Sequence, residues 1–145
     1  MSKSMTPEIH PLIKLLCEDR RYKLEAYQFV RSGLEFAQEV LELGRHEETM
    51  LPEGEVRTVR HVTGQDLSHA LKQYAHDQYG YLAKLVLADW GIRTTNDFGE
   101  IVYNLIKIGE MTKSPEDRRE DFDGVFDFDQ ALCREFVITA ADVPA

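Results

Sequence analysis

The 145-residue chain is short of cysteine, of positive charge and of long apolar runs. Its two cysteines, Cys17 and Cys133, lie far apart and form no CxxC pair, so neither a disulfide framework nor a zinc knuckle can be read from them. In a reducing compartment they are expected to be buried free thiols. No stretch approaches the roughly 18 apolar residues of a membrane span. The first residues, Met1-Ser2-Lys3-Ser4-Met5-Thr6-Pro7, carry no apolar export signal, which makes the cytoplasm the expected location. Seventeen Lys and Arg stand against 26 Asp and Glu, for a net charge of −9. Residues 1–60 hold nine cations and eleven anions, residues 61–109 four and five, and residues 110–145 four and ten. Such a surface is repelled by a phosphate backbone, whose affinity for proteins comes largely from Lys and Arg displacing counterions. An anionic membrane repels it too. A basic protein face is the attraction that remains. The length supports one domain, 1–145, with a core of its own, so neither metal nor disulfide is required for folding.

Apolar spacing places the helices. Ile9, Leu12, Ile13 and Leu16 recur at helical intervals over 8–18, with Pro11 in or before the first turn. Residues 23–43 form the longest candidate. Tyr27, Val30, Leu34, Ala37 and Leu41 make one stripe, and Phe29, Gly33, Phe36, Val40 and Leu43 make another beside it. A face that wide should be largely buried, with Gly33 leaving room for a neighbouring helix and Gly44 ending the segment. Residues 44–60 read as a loop, in which 56–62 shows a weak strand pattern. Thr63 then caps a helix running to Tyr79 by facing the amide of Asp66. Leu82, Leu85, Val86 and Trp90 mark a shorter helix, and Gly91 takes the left-handed position after it, followed by Ile92. Thr94 or Thr95 caps a helix over 95–108 whose inner face is Phe98, Ile101, Val102, Leu105 and Ile108.

After Gly109 the period changes to two. Phe122, Phe126 and Phe128 alternate with Asp123, Asp127 and Asp129, which predicts extended chain with rings on one face and carboxylates on the other. Residues 110–113 are the plausible partner strand. Residues 129–136 read as a last short helix and 137–145 as a tail. The expected fold is therefore mainly α with a small C-terminal β-hairpin (α+β). Over 63–128 it gives a winged-helix-like three-helix-plus-hairpin unit, packed on the long N-terminal helix of the 8–43 region. That analogy carries no function by itself. The outer residues of the third helix would be Asn96, Asp97, Glu100, Tyr103, Asn104 and Lys107, a poor set for meeting phosphates.

Four segments together resemble a known family. They are Arg21-Tyr22 with Ala26-Tyr27-x-Phe29-Val30; Arg60-His61-Val62-x-Gly64-x-x-Leu67; Trp90-Gly91-Ile92 through Asp97-Phe98-Gly99-Glu100-Ile101-Val102; and Glu120-Asp121-Phe122 with Phe126-Asp127-Phe128. The pattern is similar to that of a small family of proteins found mainly in planctomycetes and verrucomicrobia. The resemblance implies a compact bacterial domain and no activity, so no catalytic residue is carried over.

The residues themselves favour an interaction or adaptor module. Its partner would be a protein with a basic surface, met by Arg118, Arg119, Asp121, Asp123, Asp127 and Asp129. Two alternatives stay open. A nucleic-acid-binding regulator would need Arg57, Arg60, Lys72 and Lys84 to converge. A small enzyme or metal protein would need two or more of His61, His69 and His76 to meet an acidic residue in a pocket. His69 and His76 share a helix face but lack the further ligands of a zinc site. Asp97-Phe98-Gly99 matches a kinase magnesium motif in letters only, since its glycine-rich loop and catalytic segment are missing. No catalytic residue, cofactor or metal ligand is therefore assigned, and the oligomeric state is not given by the sequence.

Overall fold

The computed structural model describes residues 10–50, 54 and 56–134. Helix α1 (Pro11–Glu18) starts with proline at its first position, where the missing N–H costs nothing. His10 caps it by accepting the Leu12 amide on Nδ1 at 3.0 Å. Helix α2 (Leu24–Glu39) follows, then strands β1 (Arg45–Met50) and β2 (Val56–His61). The second half holds α3 (Gly64–Tyr79), a 3-10 turn (Gly80–Leu82), α4 (Ala83–Asp89) and α5 (Thr95–Lys107). A second 3-10 turn (Arg119–Phe122) and a π-helical turn (Asp129–Arg134) complete the described chain. Among the described residues, no helix is long and apolar enough to cross a membrane.

Helix α2 lies on α3 and α5. Tyr27, Val30, Leu71, Leu87, Ile92, Ile101 and Leu105 are fully buried between them. The helices approach so closely at Gly33 that a Cβ there would lie 2.1 Å from Leu71 Cδ2. The Thr63 hydroxyl accepts the Asp66 amide at 3.1 Å, the expected cap of α3. The inner face of α5 is also as expected, with Phe98, Ile101, Val102 and Leu105 buried.

Four expectations are corrected. The C-terminal β-hairpin is absent: no strand follows His61 among the described residues. Aspartates turn this region instead of lining a strand. Asp121 accepts the Arg118 amide at 3.0 Å, and Asp127 accepts the Gln130 amide at 3.1 Å. Such side-chain-to-backbone bonds compete directly with extended pairing. Phe122 and Phe128 are buried, but they reach the core through turns, with Phe126 stacked on Phe128 at 5.7 Å. Without that hairpin there is no wing, so 63–128 is not a winged-helix-like unit.

The strands that do exist lie over 45–61: β2 follows the weak strand pattern of 56–62, whereas β1 forms where a loop was expected. There, β1 and β2 pair antiparallel, with Arg45 opposite His61 and Met50 opposite Val56. The shorter helix also presents a different face. Ala83 and Leu87 are buried, whereas Leu82 and Leu85 are 47% and 68% exposed. The turn at Gly80 (φ 57°) rotates α4 so that the smaller pair faces the core. Finally, Cys17 and Cys133 are free thiols as expected, but both are exposed. The expected tail, 137–145, lies outside the described residues.

Candidate functional site

The six residues expected to form a docking edge are mostly engaged within the chain. The Arg119 guanidinium reaches Asp123 at 2.7 Å and Glu100 at 3.4 Å. Asp121 and Asp127 hold the backbone bonds described above. Asp129 pairs with Lys84. Arg118 is exposed, as are Asp123, Asp127 and Asp129, and its guanidinium meets no carboxylate among the described residues. Five of the six therefore also serve as local caps or ion pairs.

The histidines separate as well. His61 lines a cavity, while His69 packs its ring 5.7 Å from that of Phe126. Among the described residues, no three His, Cys, Asp or Glu side chains gather as a metal site. Of the cations a nucleic-acid-binding regulator would need, Lys84 is paired with Asp129 and Lys72 lies 5.5 Å from the Phe126 ring centre. The side chains of Arg57 and Arg60 fall outside the described residues.

The expected outer face of α5 is instead a polar seam. Asp97 accepts the Tyr22 hydroxyl at 2.6 Å, the Arg93 amide at 2.8 Å and the Thr94 amide at 3.1 Å. Asn104 donates to Asp19 at 3.1 Å and to the Tyr27 hydroxyl at 3.2 Å. Arg21 bridges Asp19 and Glu100. A Cβ on Gly99 would lie 2.8 Å from Arg119 Nη1, so Asp97-Phe98-Gly99 serves packing and capping here. Burial, reinforced by the bond to Asp97, pushes the Tyr22 phenol well above its usual range.

Arg21 holds the Asp19 carboxyl well below the usual carboxylate range, chiefly through its side-chain hydrogen bonds, the shortest at 2.7 Å. A depressed folded-state pKa gives stability that is complete above the unfolded value, about 3.9, and is lost as pH falls through the folded value. The wild-type chain should therefore lose more stability between pH 5 and pH 2 than Asp19→Asn. Urea midpoints at each pH measure the difference, and parallel losses would remove Asp19 from the acid response.

Two surface features remain. A cavity of about 680 Å³ opens between α2, α5, the start of α3 and the 109–122 segment. Leu34, Leu67, Val102, Ile106, Met111 and Phe122 supply its apolar lining. The second feature is an apolar patch, where Tyr81 is 66% exposed beside Leu82 and Leu85. Comparison with known families, with curated proteins and with solved structures gave no match. The chemistry of the chain must therefore be argued from these two features.

Sequence reasoning missed both. The cavity is walled by a loop with no period, and it takes in Tyr103, which spacing alone placed on an outer face. In the patch, spacing marks Leu82 and Leu85 as the apolar face of the shorter helix and does not single out Tyr81. A competing signal was present in Ala83 and Leu87, which are also one turn apart.

Proposed function

We propose that the chain is a cytoplasmic protein–protein interaction module whose partner presents an apolar patch bordered by basic residues. The observation that carries this reading is the cluster of Tyr81, Leu82 and Leu85 on one exposed turn. Tyr81 and Leu82 end the 3-10 turn and Leu85 stands in the first turn of α4, so the three fall within five consecutive residues. Large apolar side chains gathered on a surface mark contact sites, whereas scattered ones do not. Burying each contributes on the order of 1.5–3 kcal/mol.

The border supplies the partner's charge. Asp89 lies one turn beyond Leu85 with a largely exposed side chain, 3.4 Å from the Lys23 ammonium. The net charge of −9 steers a basic surface toward the chain and repels an acidic one. The exposed thiols of Cys17 and Cys133 favour a reducing compartment. Membership of the bacterial family resembled by the sequence is proposed on the same footing. Its segments meet in space: the Arg21 carbonyl faces Gly91, Tyr22 binds Asp97, and Phe122 packs on Gly99.

Affinity capture with wild-type chain and with Leu85→Glu tests the proposal. Leu85 is exposed, so the substitution should change folding stability by no more than about 0.5 kcal/mol. Wild type should retain a partner that Leu85→Glu loses by tenfold or more and that rising salt releases. A partner held equally by both chains would overturn the assignment of this surface.

A further inference from the structure

The cavity of about 680 Å³ is within the size range of small-molecule sites, roughly 300–1,000 Å³. Its hydrogen-bonding capacity is lopsided. Three carboxylates stand at its rim, and each is already engaged. Glu110 pairs with Arg31 at 3.4 Å and approaches His10 at 4.0 Å. Asp117 accepts the Ser114 amide at 2.9 Å and its hydroxyl at 3.4 Å. Asp121 accepts the Arg118 amide.

The cations are left over. Among the described residues, Lys113 reaches only the Asp117 backbone carbonyl, at 3.4 Å, and Arg118 meets no carboxylate. On the same wall, Tyr103 keeps a buried hydroxyl with no partner among the described residues. A buried polar group without a partner is costly, and a ligand can relieve it. The site thus offers donors around an apolar floor made by Leu34, Leu67, Val102, Ile106 and Phe122.

We infer that this cavity binds a monocarboxylate with an apolar body, of the medium-chain acyl type. The carboxylate lies at the rim against Lys113 and Arg118. The acyl chain lies on the floor, where each buried methylene strengthens binding by about fourfold. A cationic amphiphile would leave both side chains unpaired and meet like charge. This site is separate from the surface around Leu85, and its test does not depend on that one.

Methyl-detected NMR titration and calorimetry of the full chain provide the experiment. The probes are octanoate, octan-1-ol and octyltrimethylammonium, which share a body and differ in the head. Octanoate should saturate one site, move the methyl signals of Leu34, Val102 and Ile106, and bind about tenfold tighter than octanol. Octyltrimethylammonium should bind weakest. The double variant Lys113→Gln/Arg118→Gln changes two exposed side chains, and it should lower octanoate affinity about tenfold while leaving octanol unchanged. Octanoate that fails to saturate, shifts confined to other methyls, equal binding of the cationic probe, or an unaffected double variant would each overturn the inference.

Discussion

Gly91→Ala should destabilise the chain by about 3 kcal/mol or more, the largest loss expected from adding one methyl group. Two effects combine. Gly91 has φ of 99°, where any residue with a Cβ is strained. The added Cβ would also lie 2.1 Å from the Arg21 carbonyl oxygen. That oxygen belongs to backbone held in place: the neighbouring Lys23 amide donates to the Trp90 carbonyl at 3.2 Å, and Tyr22 is anchored on Asp97. Neither side can retreat cheaply. Gly109→Ala separates the two effects, since Gly109 has φ of 80° with nothing within 4 Å of its Cβ position. It should cost only about 1 kcal/mol. Urea midpoints at constant slope give both values. Equal losses in the two variants would show that the contact with Arg21 does not matter.

Asp97→Ala should cost about 3 kcal/mol, because one carboxylate serves three donors. It caps α5 through the Thr94 amide, holds the Arg93 amide and accepts the Tyr22 hydroxyl. Loss of a helix cap alone is worth about 1 kcal/mol, and a hydrogen bond to a charged group about 1.5–3 kcal/mol. Tyr22→Phe should cost about 1.5 kcal/mol in the wild-type chain and much less once Asp97 is alanine. That shortfall is the coupling between residues 75 positions apart. If the two losses simply add, the phenol–carboxylate bond contributes nothing net.

The sequence made the helices legible and misplaced what surrounds them. Local signals were sufficient where one bond decides, as at Thr63 and at the turn after Trp90. They failed where two local patterns competed. Phe122, Phe126 and Phe128 have strand spacing, but Asp121 and Asp127 capture nearby amides, and that depends on turns that spacing does not encode. On α4, two apolar pairs lie on different faces. Which one is buried depends on the direction in which Gly80 sends the chain. The cavity was invisible for a different reason: its walls come from α2, α3, α5 and an irregular loop, and no window of sequence contains them together. Five of the expected docking residues, Arg119, Asp121, Asp123, Asp127 and Asp129, have partners within the same chain that spacing did not reveal.

The seam at Asp97 has a consequence for how uniquely the chain packs. Helix α2 carries two adjacent apolar stripes, so oil-like burial alone would accept it rolled by a fraction of a turn or shifted along its neighbours. Such arrangements would differ little in the greasy area they hide. The Tyr22 phenol finds its acceptor in one of them, as does the Asn104 amide with its two oxygens. The polar contacts act as a latch that selects one docking pose among near-equals. Loosening the latch should broaden NMR lines across α2 before helical content falls.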